Sequence, residues 1–436
     1  MFRFEKDMYE MSSASKVKAT NSRDSQQHAG VYDALILDAR LRQALVSLRS
    51  LGQRGLTVAA LETCDGVPAF FSRWCRQGYV CSAGEGTAGY LAYLKDWLQQ
   101  IGAHVLIPTS DGTIALLQQH RAALEHHTRI ALATDSALAI AVNKERTLAM
   151  AQELGLHVPR GVTVSSVSDV YSAVHEIGLP AVVKPVESWV SCEQQRVASQ
   201  LVVSLDEAQR VVEALTCSGS AVLFQQFLTG RREAISFLCA DGEIYARFAQ
   251  WAKRTEPPLG GQSVLRQSIA VPSDSGEQAE RLIRAIGLDG YSEVEFRRDS
   301  SGQPFLMEIN PRLSASVEIA VRSGVDFPLL LYQWAGGGPI QKIRRYRVGN
   351  WMRYLKGDLM TTLETFQQRG RPGVSSPGRA AMDFCLSFMR PMDYDYVDWH
   401  DPLPALHATT DFTARWVGGA IQKRFVRIRR KYEFNG

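Results

Sequence analysis

The stretch YSEVEFRRDSSGQPFLMEIN, residues 291–310, constrains the fold of this chain more than any other. Two runs of strand-forming residues flank Asp-Ser-Ser-Gly, the composition of a tight turn. If Ser301-Gly302 makes a two-residue hairpin loop, Glu295 lies opposite Glu308, and Glu293 lies opposite Asn310. Side chains alternate along a strand, so these four share one face, while Val294, Phe296, Met307 and Ile309 share the other. Pro311 has no amide hydrogen to give a ladder and ends the second strand, with Arg312 just beyond it. Like charges directly opposite one another destabilise a sheet. Three carboxylates on one patch therefore need a reason. One reading is a solvated acidic face beside Arg297, Arg298 and Arg312. The other is a hard divalent cation; Mg2+ takes one or two carboxylates and completes its shell with water or phosphate oxygens. The hairpin alone leaves both open, and a site for phosphate elsewhere in the chain would decide between them.

The rest of the chain supplies a frame. At 436 residues it exceeds one small core, and two or three domains are expected. A hydrophobic fraction of 45% with 22% charged residues belongs to an ordinary soluble protein, and no apolar run is long enough to span a membrane. Residues 1–30 are polar and read as a disordered tail. YDALILDA, GLTVAALE and HVLIPTSD alternate with helical patterns, so residues 31–135 read as an open parallel α/β domain with Ser110 and Asp111 at a strand's carboxyl end, where such sheets bind ligands. GLPAVVKP, LVVS and AVLFQQFL form a second, βαβ-like set, followed by β-rich segments and the opening hairpin. The seven cysteines are scattered without a CxxC, which suggests neither zinc nor a disulfide framework and fits a reducing cytoplasm. Residues 421–436 carry six Lys/Arg and one Glu, more than the whole net charge of +4, so the remainder is slightly acidic. Nucleic-acid binding is not expected of such a body. A basic, aromatic-interleaved end is open to two readings, a helix packed on its own domain or a peripheral contact with anionic membrane.

Several residues point to phosphate. Lys184 ends a strongly apolar strand, where an ammonium without an anion would be costly. Lys144 begins a helix capped by Asn143, at the pole that favours anions. In AVLFQQFLTGRREAIS a strand breaks off, which frees the backbone of Gln226 and Leu228 for a flat heterocycle and returns Glu233 within reach of sugar hydroxyls.

These pieces, in this order, resemble the ATP-grasp superfamily, and within it the carboxylate–amine ligases related to the ATP-binding part of the carbamoyl-phosphate synthase large chain. The resemblance covers about residues 32–340 and rests chiefly on EVEF and MEINPR at their present spacing. It implies an α/β and α+β architecture: an open α/β pre-ATP-grasp domain at 31–135, then an ATP-grasp domain at 136–340. The latter would hold a small subdomain at about 160–230 with a hinge at 225–230, and a small mixed extension would occupy 341–436. It makes Lys144 and Lys184 phosphate ligands, Gln226 and Leu228 the adenine hinge and Glu233 the ribose carboxylate. Glu295, Glu308 and Asn310 become the ligands of Mg2+ (or Mn2+), and Arg312 stands near the transferred phosphate. Residues 252–268 look like the family's mobile loop, with Arg266 as a candidate for the γ-phosphate. The implied activity turns ATP and a small-molecule carboxylate into an acyl phosphate and joins it to an amine, in a homodimer as in many relatives. The stretch 186–200 departs from the pattern: it has no glycine, and only Ser188 and Ser191 could replace a phosphate-covering loop. A nucleotide-binding protein without ligase turnover, or a bicarbonate-using carboxyphosphate enzyme, is the alternative.

Overall fold

The computed structural model describes residues 32–414 apart from 188, 191–194, 197–198 and 217–219. The tail at 1–30, Ser188, Ser191 and the basic end at 421–436 lie outside the described residues.

The first sheet is parallel and five-stranded, in the order Cys75–Val80, Val58–Glu62, Tyr32–Leu37, Ala103–Ile107, Arg129–Ile130. Successive residues of its central strands feed opposite cores: Leu35, Leu37 and Leu61 join one cluster, and Ala34, Ile36 and Ala60 the other. Both faces are covered, which is why these strands read as unbroken apolar runs. The strand order reverses between Tyr32–Leu37 and Ala103–Ile107, and Asp38 and Thr109–Asp111 lie at the carboxyl ends beside that switch point.

The second sheet is antiparallel, ordered Gln200–Val202, Ala181–Pro185, Val222–Gln226, Gly161–Val164. The βαβ expectation is met in split form. Each helix, Val170–Ile177 or Leu205–Thr216, joins two parallel strands with an antiparallel one inserted between them. Val164, Val183, Val222 and Phe224 point to these helices, so Leu223, Gln225 and Lys184 are turned to the other side.

The third sheet has seven strands, ordered Pro304–Asn310, Gly290–Arg298, Arg232–Ala240, Glu243–Glu256, Gln262–Ile269, Trp351–Arg353, Asp393–Tyr394. Residues beyond 340 thus contribute its last two strands. The stretch expected as a mobile loop, 252–268, is instead mostly two paired strands around a turn at 257–261. Its alternating apolar and polar residues extend the ladder of Glu243–Glu256.

The acidic hairpin forms with one correction. Asp299 accepts from the backbone of Ser301 and Gln303 and builds a five-residue connection in place of the two-residue turn. That would slip the register, and Phe296 does pair with Leu306. A bulge at Met307 restores it, so Glu295 faces Glu308 and Glu293 faces Asn310. Leu306, fully buried, takes the core position expected of Met307.

Candidate nucleotide and metal site

The bulge does more than restore register. It turns the Met307 carbonyl outward, and Lys184 Nζ donates to it at 3.4 Å. Lys184 is buried at the end of Ala181–Pro185, and burial lowers its pKa to about 8, helped by Lys144 and opposed by Glu308 and Glu295. Lys144 opens the helix Lys144–Glu153; the Asn143 side chain caps it by accepting from Arg146 N at 3.0 Å. Its own backbone N–H donates to Val186 O at 3.0 Å, which ties it to the Lys184 strand, and its Nζ stands 4.0 Å from Glu308 Oε2. Two buried lysines therefore flank the acidic hairpin.

On the hairpin, Glu295 is 7% exposed, and burial raises its pKa to about 7, with Glu308 and Glu293 adding and Arg232 opposing. Arg232 Nε donates to Glu295 Oε2 at 3.0 Å, and Asn310 Nδ2 donates to Oε1 at 3.2 Å. Glu308 is half-buried. Glu293 lies deeper, where Gln250 Nε2 donates to it at 3.1 Å and burial raises its pKa. Two facing carboxylates and an amide on one desolvated face fit a hard cation that keeps several water or phosphate oxygens. Among the described residues no group of three or more His, Cys, Asp or Glu is arranged to hold a metal unaided.

Arg312, past the strand end, is buried and bound at both nitrogens to Asp111 of the parallel domain, Nε–Oδ1 2.6 Å and Nη2–Oδ2 3.0 Å. Ser110 caps the helix Asp111–Gln119 by accepting from Thr113 N. The carboxyl edge around them is acidic: Asp38, whose pKa burial raises to about 8 with help from Glu85 and Glu62, accepts from Thr109 N at 2.9 Å. This edge meets the hairpin through Asp111 and Arg312.

The hinge is partly as expected. The strand ends at Gln226, but its N–H is not free; it donates to Arg160 O at 2.8 Å. Leu228 is buried in the loop that follows. Sequence reasoning missed Gln225, which is fully buried with neither amide atom partnered among the described residues, on the Lys184 side of its sheet.

Two expected residues are not brought to the acidic face. Glu233 pairs in register with Phe296, whereas Glu295 pairs with Ala234, so Glu233 points through the other side of the sheet. There Arg298 holds it at 3.1 and 2.9 Å and Arg231 stands at 3.2 Å. Arg232 takes the face assigned to Glu233; in the run Arg-Arg-Glu only the register tells which side chain turns inward. Arg266 is not a loop residue poised for phosphate. It is fully buried in Gln262–Ile269 and bound to Asp395 at 3.0 and 2.6 Å, an acid that Arg42 also holds at 2.8 Å.

This architecture, a split antiparallel subdomain closing over a hairpin with paired acids, defines an ATP-grasp fold. Residues 219–357 match the family described as ATP-grasp in the biosynthetic pathway with Ter operon. The D-alanine–D-alanine ligase of Ectopseudomonas mendocina (strain ymp) is 27% identical over 209 residues, 45% of this chain and 64% of that enzyme. The chain thus spans just under two thirds of the length of that curated relative. Among solved structures, the biotin carboxylase domain dimer of Hydrogenobacter thermophilus 2-oxoglutarate carboxylase, in complex with MgADP, ADP and bicarbonate, shares the fold with a TM-score of 0.60 at 14% identity, over 74% of this chain and 73% of that one. The L-amino acid ligase of Bacillus licheniformis does so with 0.54 at 17% identity, over 71% and 75%. The chain has the ATP-grasp fold and is similar to the carboxylate–amine ligases of that superfamily.

Proposed function

We propose that the protein is an ATP-dependent ligase that activates a small-molecule carboxylate as an acyl phosphate and joins it to an amine, with release of ADP and phosphate. The observation that carries this reading is the facing pair Glu295 and Glu308, with Asn310 beside them and Lys144 and Lys184 buried against the same hairpin. Phosphoryl transfer asks for positioning and neutralisation of charge more than for a protein nucleophile.

Glu295, Glu308 and Asn310 would hold Mg2+, or Mn2+ in its place, which when bound neutralises charge on the phosphates. Lys144 and Lys184 bind the phosphate oxygens, and Arg312 is the cation assigned to the transferred phosphoryl group. The Gln226 carbonyl and the Leu228 amide receive the adenine edge, and the unpaired amide of Gln225 offers the base both a donor and an acceptor. Arg232 neutralises Glu295 until the cation is present. Glu233, bound to Arg298 on the opposite face, is left out of this assignment, and so is Arg266. The substrates enter along the carboxyl edge of the parallel sheet near Ser110 and Asp111. Its acids, Asp38, Glu62 and Glu85, lie on the side from which an amine would come. The reaction balances without a covalent enzyme intermediate: a substrate carboxylate oxygen takes the γ-phosphoryl group of ATP with ADP as the leaving group, and the amine nitrogen then displaces phosphate from the acyl carbon and loses a proton.

An ADP-release assay over pairs of amino acids, small carboxylates and amines tests this, with mass spectrometry of the products. An amide product formed with stoichiometric ADP supports it. ADP release that requires bicarbonate and no amine overturns it in favour of carboxyphosphate chemistry. ATP binding without turnover on any pair favours a nucleotide-binding protein.

A further inference from the structure

The helix Leu355–Gln367 is built inside out. Its buried residues are Gly357, Asp358, Thr361, Thr362 and Thr365, while Leu355, Leu363 and Phe366 are exposed. A surface helix ordinarily does the reverse. The inward face is committed to polar contacts with the third sheet. Asp358 takes Arg254 and Arg353, and Thr361 Oγ1 donates to Thr255 O at 2.7 Å. Gly357 permits the close approach, since a Cβ there would stand 2.5 Å from Glu256 Oε2. The helix Pro377–Leu386 packs beside it and continues the apolar surface with Met382, Leu386, Phe388 and Met389, the last 81% exposed. Of the sixteen large apolar side chains exposed among the described residues, seven lie between 355 and 389. They form a concentration rather than a scatter, and such concentrations mark a surface meant to be covered.

The exposed charges along this stretch are basic; Glu364 and Asp383 are half-buried, and Asp393, exposed just beyond it, stands 3.5 Å from Arg322. Between residues 355 and 392 the exposed charged side chains are Lys356, Arg369, Arg379 and Arg390, and no Asp or Glu is exposed. Further along, Trp399 is 89% exposed, with Leu403 and Leu406 beyond it. Lys356 Nζ lies 5.4 Å from the Phe412 ring, so the described chain ends next to the inverted helix. The sequence then runs into the segment 421–436, with its six Lys/Arg against one Glu.

We propose that this face docks on an anionic lipid surface. Leu363, Phe366, Met382, Leu386, Phe388 and Met389 enter the boundary between headgroups and acyl chains, and Lys356, Arg369, Arg379 and Arg390 meet the headgroups. Apolar area and basic charge together give the two signals that stable peripheral binding needs. A second copy of the chain is a poorer occupant, because it would bring the same basic rim against itself.

The test is co-sedimentation of the full chain with vesicles of phosphatidylglycerol and phosphatidylcholine, against vesicles of phosphatidylcholine alone. The chain is expected to pellet with the anionic vesicles only. The doubly substituted F388D/M389D protein is expected to partition at least about tenfold more weakly, and so is the R369Q/R379Q protein. Neither pair is among the residues assigned to the nucleotide, so ADP release without vesicles should stay within twofold or so of the parent. Equal pelleting of parent and both variants, or equal pelleting on neutral and anionic vesicles, overturns the proposal. So does size-exclusion chromatography showing a dimer that F388D/M389D converts to a monomer while no vesicles bind, which would make the face an interface between copies.

Discussion

Replacing Asp395 with Asn should unfold the protein at markedly lower temperature without any change at the proposed nucleotide site. Asp395 is buried and accepts three charge-assisted bonds, from Arg42 at 2.8 Å and from Arg266 at 3.0 and 2.6 Å. Both arginines are buried too, so the substitution leaves two desolvated guanidiniums facing an amide. Breaking a buried pair from one side costs about 3–5 kcal/mol, because the surviving charge cannot recover its water. Thermal unfolding followed by circular dichroism reads this directly, together with a urea midpoint at fixed temperature. The decisive comparison is D395N/R266M, which also removes one of the two stranded cations. If Arg266 is there to match Asp395, the double variant is more stable than D395N alone. If the two losses simply add, Arg266 earns its place elsewhere and the structural assignment fails. The pH dependence follows from the same contacts. Burial alone would raise the Asp395 pKa, but Arg266 and Arg42 outweigh it and hold the carboxyl below its ordinary range. A depressed folded-state value means that this stabilisation is present above the unfolded value of about 3.9 and is lost as pH falls through the folded one. The parent should therefore lose more stability than D395N on acidification below about pH 4.

Four further outcomes bear on the site. Glu308→Gln should lower MgATP-dependent ADP release at least about a hundredfold while leaving the melting temperature nearly unchanged, since Glu308 is half-buried on the ligand face. Gln225→Leu should move two quantities in opposite directions. It removes a buried amide without partners and so raises thermal stability, and it raises the KM for ATP about tenfold; a fall in stability would refute the orphan-amide argument. Lys184 has a pKa lowered to about 8 by burial, so the KM for MgATP should rise as pH passes about 8 in the parent, with a flat profile in K184M. Asp111→Ala strands Arg312 at the junction of two sheets; a loss of about 3 kcal/mol in urea unfolding is expected, and inorganic phosphate should restore part of it.

The strands that carry the site could be read because their signals are local. Alternation placed Glu293, Glu295, Glu308 and Asn310 on one face, and Pro311 marked the strand end. The turn differs from the expected one, since Asp299 organises five residues instead of two, yet the bulge at Met307 restores the pairing at the acids. The failures have one physical origin. Glu233 and Arg232 are neighbours, and a single step of register exchanges their faces; the Ala234–Glu295 pairing that settles it is a contact between distant segments. Arg266 departs from its expected place for a related reason. Its counter-charge, Asp395, is 129 residues away in sequence, and no local pattern announces such a partner. Gln225 carried no signal at all, because a glutamine in a strand is unremarkable until its surroundings prove to contain nothing to bond with.

The extension beyond residue 340 follows the same logic on a larger scale. Three buried aspartates fasten it: Asp358 to Arg254 and Arg353, Asp395 to Arg42 and Arg266, and Asp401 to Arg49 and Ser72. Arg42 and Arg49 belong to the first helix of the parallel domain, while Arg254 and Arg266 belong to the third sheet. Apolar packing of equal volume could hold these parts at least as strongly, because the desolvation of each charge offsets much of its attraction. What charges add is direction, since each guanidinium donates to its acid in one plane. The parallel domain and the third sheet are thereby set at a fixed angle, with Asp111 meeting Arg312 across the junction. Under the proposed function, a carboxylate carried by one domain must reach a phosphate held by another, which gives reason to fix that angle. The helix Leu355–Gln367, having turned its polar side inward to do so, is left with its leucines outside.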